Sequence, residues 1–315
     1  MKKKDLKLNF LFQIIVAFLL TSILSIAVAN SMITGSVAFT SEQVKSVYVP
    51  PQPQPQPQLQ PPSQSQATSP EIRGEYKLVQ IDIFQFLLSF FIATSLMLFF
   101  VNKFNGKYLF EFFFSAVIIF GAQGPFGIFF SWFNALMLSI LLVVFRFIHP
   151  RIWTQNFIII IGVAGVAASL GTGIDPLFAI IILIILSFYD VIAIYKTKHM
   201  VKLFKGMAEK GAILALIIPK NFLLWKNKFS MIKNENRNEF IFIGTGDVAL
   251  PLFFASSAFS SGLIFSISII FGAVVGFIVD HLFFVTQKEK RAIPALPAIA
   301  LFSITSYIVT FLFVN

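Results

Sequence analysis

The sequence predicts an all-α polytopic membrane protein with nine transmembrane helices, its N-terminus cytoplasmic and its C-terminus outside. Three observations predict it. The chain is 57% hydrophobic and 12% charged, far more apolar and less charged than soluble domains. Its apolar runs repeatedly exceed the roughly 18 residues that mark a spanning helix, and they are continuous rather than alternating, which excludes a barrel. Its basic residues also fall on one side of the alternating segments, as cytoplasmic loops require.

Residues 9–29 form the first apolar span, preceded by Lys2, Lys3, Lys4 and Lys7. The small residues Ala27, Val28 and Ala29 resemble a signal-peptide cleavage site. The run is nevertheless longer than the roughly 7–15 residues of a signal core, so we read a retained anchor over 1–29. Either fate leaves Asn30 outside. Residues 30–78 form an outer loop containing PQPQPQPQLQPPSQSQ at 51–66. Such Pro/Gln alternation builds no core and favours an extended, solvated spacer over a partner ligand.

Further spans are expected at 80–101, 109–121, 126–148, 156–173 and 176–195, which places helices two to six within 79–195. The third has room to continue to Phe126. A basic cytoplasmic loop follows at 196–239. Spans at 240–259, 262–285 and 292–314 then fill the C-terminal part, 240–315. With the N-terminus inside, 21 of the 24 lysines and arginines lie in inner segments. Only Lys45, Arg73 and Lys77 lie outside, all in the proline-rich loop. The net charge of +10 therefore marks topology rather than nucleic-acid binding. The absence of cysteine excludes disulfides, thiolate nucleophiles and thiolate metal sites.

Two consecutive spans carry an aspartate well inside their ends: IILIILSFYDVIAIY contains Asp190, and IFIGTGDVALPLFF contains Asp247. A carboxylate inside a membrane costs about 2.5 kcal/mol or more and usually faces a cavity or a partner. The sixth span runs inward and the seventh outward, so both aspartates fall roughly 8–11 Å below the cytoplasmic surface at ~1.5 Å per residue. If those faces meet, the two carboxylates can share one proton and titrate as a pair. Such a pair can hydrolyse an amide: the ionised member draws a proton from water while the protonated member polarises the carbonyl. Gly244 and Gly246 flank Asp247 without side chains. Alone they read as close helix packing; beside an aspartate they also admit a substrate backbone.

Tyr189-Asp190, then Gly244-Thr245-Gly246-Asp247, then Pro294-Ala295-Leu296-Pro297 occur in that order. This resembles the presenilin and signal peptide peptidase family of intramembrane aspartyl proteases, and most of all its archaeal members. There the Tyr-Asp, Gly-x-Gly-Asp and Pro-Ala-Leu motifs lie on the sixth, seventh and ninth helices. The resemblance covers the C-terminal half and the helix count, with little motif support before Pro176. It implies that Asp190 and Asp247 are the catalytic pair. It further implies that Tyr189, Gly244, Thr245, Gly246, Pro294, Ala295 and Leu296 shape the site. The substrates it implies are transmembrane peptides or proteins within the lipid bilayer, cut without a cofactor, metal or accessory subunit. The chain departs from the family at Thr245, where many members carry Leu, and at Leu252 after Pro251, where signal peptide peptidases often have Gly. The expected orientation is presenilin-like.

The loop at 196–239 contains an apolar run at 212–219 that is too short to span. It reads either as an interfacial segment or as a strand that, with residues 240–243, offers an edge to an unwound substrate. Asp280 and His281, near the inner end of the eighth span, read as interfacial or cavity-lining rather than catalytic. Asp82, Glu111 and Asp175 read as interfacial, and His149 and His199 as solvated. No HExxH sequence is present, and Ser260-Ser261 lie at the opposite face from His281, which excludes those zinc and serine chemistries. The alternative function is a proton- or cation-coupled transporter using Asp190, Asp247 and Asp280 as a path. Transporters often show inverted repeats, and none is visible here.

Overall fold

A computed structural model of the chain describes residues 3–47, 88, 92, 107–196, 215–228, 239–287 and 293–314. The expected second span, apart from residues 88 and 92, lies outside the described residues. So do the Pro/Gln-rich stretch, Asp82 and His199.

The chain is mostly helical. Its helices are α1 (Lys3–Val47), α2 (Lys107–Gly127), α3 (Trp132–Ile148), α4 (Ile152–Gly171), α5 (Pro176–Val191), α6 (Thr245–Ser257), α7 (Leu263–Thr286) and α8 (Leu296–Val314). Five helices among the described residues are long and apolar enough to cross a membrane. Large apolar side chains such as Phe112, Leu141 and Phe313 are exposed on the outside. In lipid that exposure has little cost, because the acyl chains are as apolar as the side chains.

Since apolar burial no longer drives helices together in lipid, close packing must hold the bundle. Glycines supply it. A Cβ on Gly121 would strike the backbone carbonyl of Gly162, and one on Gly165 would strike that of Gly121, so α2 and α4 touch backbone to backbone. Gly272 and Gly276 do the same for α7 against Phe302 and Ile299 of α8. Gly171 brings α4 against Phe253 of α6. Gly262, at φ +132°, makes the turn into α7 that a side chain would strain.

Helix α1 is part of this core. Phe18 and Ala29 are buried, Phe18 stacks on Phe277 of α7 at 4.9 Å, and the Ser25 and Ser256 hydroxyls bond at 3.2 Å. The helix also runs to Val47, well past the expected end at residue 29. As expected, α2 continues past Gly121, reaching Gly127 through Pro125.

Two boundaries differ from expectation in ways that matter for the site. The segment expected to begin the seventh span is a strand, β2 (Phe240–Gly244). It pairs antiparallel with β1 (Ala215–Pro219), in a register from Ala215↔Gly244 to Pro219↔Phe240. Residues 241–243, Ile-Phe-Ile, suit a pleated surface more than a helix start. All five residues of β1 are buried. The last helix begins at Leu296, with Ala295 accepting its first bond from the Ile299 N–H at 3.3 Å. Pro297 therefore sits in the first turn, where its missing N–H has no intrahelical partner to lose.

Polar side chains hold the far edge of β1. Asn156 of α4 donates to the Ile217 carbonyl at 2.7 Å and accepts from the Ile217 N–H at 2.9 Å, as a neighbouring strand would. Gln13 of α1 donates to the Pro219 carbonyl at 3.2 Å and accepts from the Trp225 indole at 3.1 Å. The sheet is thus anchored on one side by two transmembrane helices, and β2 forms its other side.

Several expected surface residues have inner partners. Arg146 is buried; it donates to Gln155 at 2.7 Å and lies over the Phe114 ring at 4.5 Å. Glu111 is close enough to interact with its charge. His149, in the loop after α3, is partly rather than fully solvated: its Nδ1 is buried, and its ring lies 4.9 Å from that of Phe145. Asp175 caps α5 by accepting from the Leu177 N–H at 2.8 Å.

Candidate active site

Asp190 lies in the last turn of α5, two residues before the helix widens into a π-turn at Ile192–Lys196. Such widened turns are frequent at functional sites. The residue is 6% exposed, and its Oδ2 has no hydrogen-bond partner. The backbone N–H of Leu296 is directed at its carboxylate. The helix-starting segment Pro294-Ala295-Leu296 thereby lies beside the aspartate of α5.

Asp247 is positioned differently. Gly244 is the N-cap of α6, and Asp247 is the third residue of that helix, reaching back toward the Gly244 N–H. This is half of a capping box, and a negative charge is favoured in a first helical turn. A Cβ on Gly244 would lie 3.0 Å from Asp247 Oδ2, so a side chain there would press on the carboxylate. A Cβ on Gly246 would meet nothing within 4 Å. Gly244 therefore makes room for the aspartate, while Gly246 has open space beside its own backbone. Thr245, between them, is half-buried, as is Tyr189 beside Asp190.

The strand-to-helix junction decides the meeting of the two aspartates. Asp190 and Asp247 are close enough for their charges to interact, and Asp280 of α7 interacts with both. Matching depth was expected from two antiparallel helices. The structure instead presents one aspartate at a helix end and the other at a helix start preceded by the extended β2. A cavity of about 290 Å³ opens beside Asp247, bordered by residues 240–243 of β2, by α7 and by Ile293 and Ala295. That is near the low end for ligand pockets, which are typically about 300–1,000 Å³. Asp280 and His281 line it, as expected of cavity residues. Among the described residues no three His, Cys, Asp or Glu side chains gather closely enough to hold a metal ion.

A family model described as signal-peptide peptidase, presenilin aspartyl protease matches residues 77–315. The chain belongs to this family. As a signal-peptide peptidase/presenilin-type protein it is an intramembrane aspartic protease, and the transporter alternative falls away. Two solved structures share its fold, both described as a presenilin family intramembrane aspartate protease, in C222 and P2 crystal forms. Each is 17% identical, with 95% of this chain and 96% of the other covered, at TM-scores of 0.54 and 0.53. No curated protein matches.

Sequence reasoning missed Gln13 and Asn156, because only ionisable residues were sought inside apolar spans. Amides in such spans carry the same signal in weaker form, since a buried amide needs partners too.

Proposed function

We propose that this presenilin-type protease hydrolyses peptide bonds of single-span proteins or signal-peptide remnants with Asp190, Asp247 and one water. The supporting observation is the charge interaction of the two carboxylates, with Asp247 at the edge of a cavity bordered by β2. One carboxylate is ionised and removes a proton from water as its oxygen attacks the scissile carbonyl carbon. The other, protonated, gives its proton to the carbonyl oxygen. The resulting gem-diol collapses as the leaving nitrogen takes a proton, giving a carboxylic acid and an amine. Both aspartates are then restored with one proton between them.

A helical substrate must be unwound before its carbonyls can be reached. β2 can receive it, because β1 covers one of its edges and the cavity borders the strand. An extended segment added there would lie beside Asp247 and across the open space at Gly246. Asp190, Asp247 and the Pro294–Leu296 segment act together in this reading. The site opens toward the cytoplasmic side, as the basic loop at 196–239 supports. The presenilin-like orientation and a prokaryotic cell membrane belong to the same proposal, as does action without accessory subunits.

The test is cleavage of a tagged single-span peptide by the purified chain in lipid vesicles, followed by mass spectrometry. Wild type yields one set of internal cuts, whereas Asp190→Asn and Asp247→Asn yield none. Continued cutting by either variant would break the two-aspartate mechanism.

A further inference from the structure

On α7 the side chains of Phe277, Asp280, His281 and Phe284 recur at i, i+3, i+4 and i+7, and all four line the cavity beside Asp247. Three of the positions need no special account in a membrane protease. Asp280 does: a carboxylate in a spanning helix is expensive and calls for a partner. Its Oδ2 is buried and has no hydrogen-bond partner. Hydrolysis by an aspartate pair uses two carboxylates, and Asp280 is a third. No lysine or arginine lines the cavity among the described residues.

We propose that Asp280 is the acidic end of a substrate subsite that takes a lysine or arginine side chain close to the scissile bond. The alkyl stem lies against Phe277 and Phe284, and the ammonium or guanidinium group meets the carboxylate. Long basic side chains suit such a site because their stems are apolar and only the tip needs solvation or a counter-charge. Single-span proteins carry these residues at their cytoplasmic ends. An extended segment running along β2 from there would bring one past α7. The proposal rests on the two-aspartate reading and adds the specificity of the same site.

The test uses the full chain in vesicles and single-span peptides varied one residue at a time around the cut among Lys, Arg, Met, Gln and Glu. At one position, Lys or Arg is expected to exceed Met by about tenfold or more in kcat/KM, the scale of a close, desolvated charge pair. Asp280→Asn brings that ratio to about one, Asp280→Glu keeps it, and Asp280→Lys turns the preference to Glu. A ratio taken within one preparation is insensitive to a partly unfolded variant. Photo-crosslinking of the same peptides to Asp247→Asn reads the preference without turnover. A wild type without basic preference at any position overturns the proposal, as does Asp280→Asn that retains it. So does a folded Asp280→Asn that cuts nothing, which would place Asp280 in the proton chemistry. Failure of the two-aspartate reading looks different: Asp190→Asn or Asp247→Asn would still cut, whatever the side-chain preference.

Discussion

The α2–α4 seam and the Asp190–Asp247 site use the same small residue for opposite ends. At the seam, Gly121 and Gly165 remove side chains so that two backbones touch, and a Cβ has nowhere to go. At the site, Gly246 removes one so that nothing touches. The contrast extends to polar atoms. Five buried side-chain polar atoms lack a hydrogen-bond partner among the described residues, and two of them belong to Asp190 and Asp280. In a medium where unpartnered polar groups are costly, these two lie where the proposed substrate would arrive. Tight packing and open space are thus two uses of glycine, told apart by what surrounds it.

The sharpest way to break this comparison is at the aspartates. Asp190→Asn or Asp247→Asn should lower cleavage by about a thousandfold or more, the scale of lost acid–base catalysis. Thermal unfolding in detergent should be unchanged or raised, since an expensive charge has gone. A variant that loses both activity and stability would make the aspartates structural instead.

The seam should respond in reverse. Gly165→Ala places a methyl group against the Gly121 carbonyl and should destabilise by about 1–3 kcal/mol, the cost of overpacking. Activity per folded molecule should persist, as measured by pairing unfolding curves with turnover. Asn156→Leu lies between the two regions. It leaves the Ile217 N–H and carbonyl without their side-chain partner, at about 1–3 kcal/mol. It also loosens the sheet that would receive substrate, so KM should rise more than kcat falls. An unchanged KM would separate β1 from substrate binding. The smallest stability effect belongs to Gly246→Ala, within about 0.5 kcal/mol because its methyl group meets open space. Its kcat/KM should still fall, since a substrate backbone would meet that methyl group. Equal unfolding shifts for Gly165→Ala and Gly246→Ala would remove the distinction between seam and site.

Much of the site was legible because intramembrane charge is conspicuous. Asp190 and Asp247 stand out in runs that otherwise hold mostly apolar and small residues, whereas Asp280 and His281 read equally as interfacial or cavity-lining. The boundaries were less legible. Residues 240–244 and 292–295 are apolar enough to extend their helices, and hydropathy alone does not separate a strand of Ile and Phe from a helical turn. The partner strand at residues 215–219 sits within a basic loop where a span was excluded but a strand was only one of two readings. Arg146 was counted only for its side of the membrane and His149 was read as solvated, because charge position along the chain does not reveal burial.

By itself the sequence determined the class of molecule, the placement of most of its spans and the two carboxylates on which a hydrolytic mechanism could rest. Hydropathy and charge are local properties that can be read along the chain. Tertiary structure alone decided that Gln13 reaches Pro219 across 206 positions and that Asn156 reaches Ile217 across 61. It also decided that Leu296 turns its N–H to Asp190 and that α7 sets Asp280 beside Asp247 at one cavity. Those contacts join segments far apart in the chain, and their partners are chosen by the packing of the whole bundle.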